Sequence, residues 1–325
     1  MVSSQISTKI TVLSFFAMFA VFVGHCRCDS RFEVIIRPWL IWHVPWFFIV
    51  SGYFFIDSLR KYSWKTFLRK KFFSILIPYL SWCCIGIILW IPDFAAKGIT
   101  IMDILGITGS IFPAGNWPLW YVRALMIFMF TGLLIWSFRP LVPSVHVFFI
   151  FYCTSLIGMY YALSKIGVGV SPGSGLVSFL LGSAICYFRI PINFIISNRW
   201  RGFFIFVLVI LAIVCRTLIN SSVSSYLFII IAIICLWLLL DFVNISKGNR
   251  WVAWMGLTPI IYFSHGPIVF AFNKYFELYL IPEDVSCVRD CYYILKCFSI
   301  FFILMVLMRY LENFSRIYKF LSGNR

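Results

Sequence analysis

Four ionisable side chains fall inside long apolar runs of the sequence: His25, His43, Arg123 and His265. A charged or titratable group in hydrocarbon is costly, so it ordinarily faces a partner or a polar cavity. Imidazole suits proton transfer: as a general base it takes the proton of an alcohol while that oxygen attacks an electrophile. Arg123 suits the complementary task of stabilising an oxyanion. No carboxylate lies mid-span, which argues against a proton relay of the pump type. A histidine base would therefore take its orientation from Asp29, Glu33 or a backbone carbonyl. A second cluster, Arg60, Lys61, Lys65, Arg69, Lys70 and Lys71, puts six cations in twelve residues. Such a run either anchors a chain at an anionic leaflet or binds phosphate.

The elements that hold these groups are set by composition. The 325 residues are 62% apolar and 12% charged, with a mean hydropathy of +0.97. Soluble domains run near 45–50% apolar and about 25% charged, and no soluble globule of this size buries so much apolar surface. Soluble enzymes, disordered chains and secreted disulfide scaffolds are excluded. Long unbroken apolar runs, in place of alternation, point to an all-α integral membrane protein and not to a barrel.

A span needs about 20 apolar residues, and ten are read: Ile10–Gly24, Trp39–Leu59, Phe72–Ile91, Trp117–Phe138, Val145–Leu163, Gly175–Ile190, Gly202–Ile219, Val223–Phe242, Trp254–Phe272 and Cys291–Leu311. The first run lacks a small-residue cleavage site and is expected to stay as a span. With the N-terminus inside, seventeen of the 27 Lys and Arg fall in inner segments and nine in outer ones, with Arg123 inside a span. That bias places both termini in the cytoplasm. A net charge of +16 is then a topology signal, and nucleic acid is not an expected partner; the lipid bilayer is. The eleven Cys form no framework: most lie in apolar runs, and Cys26 with Cys28, or Cys287 with Cys291, would pair only if they faced an oxidising space. The chain reads as one transmembrane domain over 1–325, and no metal is expected.

On this topology His25, His43, Arg123 and His265 all fall in the outer half of the bilayer, which suggests one polar cavity. Taken singly, each has another reading. His25 sits at a span end, His43 among Trp39, Trp42 and Trp46 suits an aromatic belt, and Arg123 could snorkel. His265, before Gly266 and Pro267, is the hardest to place without a function.

In chain order the motifs are Val21-Phe22-Val23-Gly24-His25; His43-Val44-Pro45-Trp46-Phe47-Phe48-Ile49-Val50-Ser51-Gly52-Tyr53; Arg69-Lys70-Lys71 with Ile77-Pro78-Tyr79; Leu119-Trp120-Tyr121-Val122-Arg123-Ala124-Leu125; and Ile261-Tyr262-Phe263-Ser264-His265-Gly266-Pro267. Together they resemble the acyltransferase-3 family of bacterial integral-membrane O-acyltransferases, especially the branch acting on surface polysaccharides. The resemblance implies transfer of an acetyl group from cytoplasmic acetyl-CoA to a sugar hydroxyl of a surface glycan or its lipid-linked precursor, in a bacterial inner membrane. It implies His25 as general base with Arg123 and His265 beside it. It places Arg69, Lys70 and Lys71 at the donor's phosphates. Ser51 and Gly52 are expected beside them, and His43, Trp117, Trp120 and Tyr121 at the acceptor, where the aromatics could stack on a sugar face or equally anchor the chain at the membrane interface. One departure stands out: where many members carry a basic residue eleven positions before the histidine, this chain has Ser14, so that contact is absent or supplied elsewhere, for example by Arg123. The donor's phosphates and the histidines lie at opposite levels, so a protein-lined passage between them is required. A carrier or exporter, or a non-catalytic subunit of a glycan-assembly complex, remains the alternative.

Overall fold

The computed structural model describes residues 4–26, 31–98, 100, 117–165, 173–191, 198–217, 221–243, 248–275 and 286–323. These are mostly helical, with no strand among the described residues. Eight helices are long and apolar enough to cross a membrane, and two shorter apolar helices, Gly173–Tyr187 and Thr258–Phe272, bring the set to ten. Each overlaps one of the ten runs read from the sequence. The chain is an all-α, multi-pass membrane protein.

In chain order the helices are α1 (Ser4–His25), α2 (Arg31–Ile36), α3 (His43–Lys61), α4 (Trp64–Lys71), α5 (Ile77–Ala96), α6 (Trp120–Trp136), α7 (Val145–Lys165), α8 (Gly173–Tyr187), α9 (Asn198–Thr217), α10 (Ser222–Leu239), α11 (Arg250–Met255), α12 (Thr258–Tyr275), α13 (Ser286–Leu311) and α14 (Ser315–Ser322). The ninth apolar run is not one helix from Trp254. It breaks at Gly256–Leu257 into α11 and α12. Similarly, α3 starts at His43 because Arg37–Leu40, carrying Pro38, forms a separate 3₁₀ turn ahead of it.

The tightest crossing joins α3 and α8 and depends on two glycines. A Cβ on Gly52 would overlap the Phe179 carbonyl, and one on Gly182 would overlap the Ile49 carbonyl. Small residues facing each other let helix backbones meet in this way, as membrane helices require when lipid is as apolar as any side chain. Ser183 Oγ adds a hydrogen bond to the Gly52 carbonyl at 3.4 Å. At the C-terminal end of α8, Arg60 donates to the carbonyls of Cys186 (2.9 Å) and Tyr187 (2.8 Å). A cation there satisfies orphan carbonyls and meets the negative end of the helix dipole. Arg60 thus works as a cap.

Two further features fix the frame. Lys9 of α1 pairs with Asp241 just beyond α10, with its ammonium 5.1 Å from the Trp237 ring centre. Between α4 and α5, Phe72–Leu76 forms a π-helical turn, the kind of one-residue insertion that re-aims a helix. The end of α14 rests on it: Gly323, at φ +80°, is packed so closely on Ser74 that a Cβ would overlap its backbone. The Trp82 indole N–H donates to the Leu321 carbonyl at 3.1 Å alongside.

Candidate active site

α1 ends at His25, and α12 carries His265 two residues before Pro267. Their imidazoles stack, with ring centroids 5.3 Å apart and planes inclined by 27°. His265 is fully buried. Its Nδ1 lies 2.5 Å from the Tyr262 carbonyl. A carbonyl only accepts, so Nδ1 carries the proton and Nε2 is left as an acceptor. No described group hydrogen-bonds to that buried Nε2. His43 bonds the Leu40 carbonyl by its own Nδ1 and lies within electrostatic reach of His265. His25 and His265 are thus in ring contact with His43 nearby, and for His43 and His265 it is a backbone carbonyl that orients the ring. Of the two carboxylates expected to do so, Asp29 falls outside the described residues, and buried Glu33 is engaged near Arg37 at 3.9 Å.

A cavity of about 430 Å³ is lined by Ser14, Ser51, Tyr121, Thr258, Tyr262 and Lys71 among others, from α1, α3, α4 and the π-helical turn after it, α6, α11 and α12. Along α6 its wall runs from Tyr121 to Met129, about 12 Å at the helical rise. Its two ends are chemically distinct. At one, Tyr262 lines the cavity and its ring lies 5.4 Å from that of His265; the Tyr262 hydroxyl donates to the Pro118 carbonyl at 2.5 Å, holding the ring in place. At the other stand Lys71 and Ser74, just before and within the π-helical turn. Lys71, Ile75 and Met129 also line a second cavity of about 510 Å³, which Arg69 borders.

Within the first cavity, Ser51 and the Tyr121 hydroxyl are 2.9 Å apart, and Tyr121 donates to the Phe47 carbonyl at 3.1 Å. Ser14 Oγ accepts from the Trp46 indole N–H at 3.1 Å. The cation that shares the cavity with Ser14, among the described lining residues, is Lys71. Arg123 is set beside Tyr79 of α5, while its neighbours Tyr121, Val122 and Leu125 line the cavity.

The remaining expected residues separate. Arg69 and Lys70 are exposed. Lys70 sits on the Tyr62 ring, 3.5 Å from its centre, and its hydrogen bond pulls the Tyr62 phenol below its ordinary value. Gly52 is taken up by the α3–α8 crossing. Trp120 is partly buried, with its ring 6.4 Å from that of Phe48. Trp117 lies in a 3₁₀ turn ahead of α6, and its side chain is outside the described set. Sequence reasoning missed Tyr262 as the group between cavity and imidazole. It also did not separate Lys71 from its two neighbours; the signal was Ser14, whose missing cation had to come from another helix.

Ten apolar helices, with a largely apolar cavity that carries Ser14, Ser51, Tyr121, Tyr262 and Lys71 one ring from the stacked imidazoles, define a multi-pass membrane protein with an internal cavity. A family model described as an acyltransferase domain, that of the acyltransferase-3 family, matches residues 8–311, and the chain belongs to that family. No curated protein and no solved structure matches it.

Proposed function

We propose that the protein transfers an acetyl group from acetyl-CoA to a hydroxyl of a surface glycan or its lipid-linked precursor, in the inner membrane of a bacterium with both termini cytoplasmic. The observation that carries this reading is the cavity running from Lys71 to Tyr262, one ring from the His265–His25 stack, in a chain of an acyltransferase family. The donor's phosphates stay at the cytoplasmic end with Arg69 and Lys71, while Lys70 adds to the local positive field. The thin pantetheine arm passes the hydroxyls of Ser51 and Tyr121.

At the far end His25 takes the proton of the acceptor hydroxyl as its oxygen attacks the thioester carbonyl, which must come within about 3–3.5 Å. The C–O bond forms, the C–S bond breaks, and the thiolate of CoA leaves, taking up the proton. The oxyanion between these steps needs a donor; Arg123 is assigned that part only if its guanidinium turns from Tyr79. His43, Trp117, Trp120 and Tyr121 are placed nearest the acceptor. Labelled acetyl-CoA, incubated with membranes holding the protein and glycan, gives label in the glycan. Transfer that survives His25→Ala removes His25 as the base.

A further inference from the structure

The second cavity, of about 510 Å³, lies between α4 with its π-helical turn and the middle of α6. Its floor is Phe67, Ile75 and Met129, all buried, and its lip is Phe72 and Phe130, 48% and 58% exposed. On a chain that crosses a bilayer, rings exposed in this way face lipid tails, so the trench opens sideways into hydrocarbon. A hollow of this size with few polar partners does not hold ordered water, whereas an apolar group fills it readily. Its polar lining is Arg69 and Lys71, with no carboxylate among the described lining residues. Other cations of the basic run are committed elsewhere: Arg60 caps α8, Lys61 pairs with Asp57 at 2.6 Å, and Lys70 sits on Tyr62. Among the described residues no carboxylate stands within ion-pair distance of the Arg69 guanidinium.

An apolar trench bordered by a guanidinium and an ammonium is complementary to an amphiphile that carries a phosphate at one end. The planar fork of Arg takes two phosphate oxygens, and Lys adds a point charge. Basic recesses between membrane helices hold anionic headgroups on the same terms. We infer that this trench binds an anionic phospholipid, its phosphate on Arg69 and Lys71 and one acyl chain laid over Met126, Met129 and Phe130. Lys71 lines both cavities, so the lipid's phosphate sits against the same ammonium that faces the first one. The site does not rest on the acyl-transfer reading and is probed with neither acetyl-CoA nor glycan present.

The full chain, purified in detergent, is incubated with phosphatidylglycerol carrying a diazirine midway along one acyl chain, irradiated, digested and mapped by mass spectrometry. Phosphatidylcholine with the same chains is run beside it. The expected result is label on the peptides holding Phe72–Leu76 and residues 126–130, roughly ten-fold stronger with phosphatidylglycerol, as charge-assisted contacts allow. Arg69→Gln/Lys71→Gln brings the label down to the phosphatidylcholine level. Lys65→Gln, an equal loss of charge on the same helix outside the trench, keeps it. Met126→Trp fills the trench, leaves both cations in place and removes the label. Inorganic phosphate at the lipid's own concentration does not displace it. Equal labelling of the wild-type protein by the two lipids overturns the inference with no variant needed. So does label that survives Arg69→Gln/Lys71→Gln or Met126→Trp, or that yields to inorganic phosphate at that concentration, since phosphate alone would then be the ligand.

Discussion

The imidazole of His265 is held by its own helix, one turn back, through the Tyr262 carbonyl, and it lies flat against that of His25. This fixes which nitrogen of His265 holds the proton, and it makes a chemical prediction. His265→Asn retains an N–H that can reach the Tyr262 carbonyl but deletes the acceptor at Nε2. The variant is expected to accumulate in membranes at the wild-type level while transfer falls by about 10²–10⁴, the span typical of a lost acid–base group. Label transfer at the wild-type rate would show that Nε2 takes no part.

The basic triplet is expected to divide. Lys71 lines both cavities, whereas Lys70 is committed to Tyr62. Lys71→Met should raise the KM for acetyl-CoA by roughly 10–100-fold, as loss of a charge-assisted hydrogen bond does, with Lys70→Met changing it less than three-fold. Initial rates at varied donor concentration separate the two. Equal effects would mean that the triplet acts only as a diffuse charge.

Gly182→Val and Gly52→Val should both prevent accumulation of folded protein. Each drives a side chain into a backbone carbonyl of the facing helix, and overpacking of this kind costs about 1–3 kcal/mol or more. Gly202→Val, with open space around its α-carbon, is the control and should behave as wild type in a thermal-stability assay on detergent-solubilised protein.

The Lys9–Asp241 pair is mostly buried, at 9% and 14% side-chain exposure. Asp241→Leu alone leaves an unpaired ammonium and should cost about 3–5 kcal/mol, while the double variant Lys9→Met/Asp241→Leu should recover most of that loss. Unfolding of the three proteins in detergent gives the comparison.

Much of this architecture could be read from the chain, because a bilayer punishes any departure from twenty apolar residues and so writes each span into composition. The break at Gly256–Leu257 was missed because the run was read by hydropathy, which does not register a bend; Gly256 and Pro259 were the local signals of it. The 1.5 Å rise gave His25, His43, Arg123 and His265 one expected level, and the fold stacks His25 against His265. Azimuth was not legible. Whether Arg123 or Lys71 shares a cavity with Ser14 depends on how each helix is rotated, and in chains apolar all round there is little polar face to announce it. The pairing of Lys9 with Asp241, 232 residues apart, belongs to this second kind of information.

The π-helical turn over Phe72–Leu76 has an arithmetic of its own. It holds one residue more than an α-helix would over the same path, so deleting a single amino acid there restores ordinary periodicity without removing any side chain that does chemistry. Everything upstream then swings about 100° around the axis of α5, carrying the ammonium of Lys71 away from the cavity it lines. Deleting one residue of that stretch other than Ser74 therefore turns Lys71 away from the cavity while every polar residue that lines it stays in the sequence.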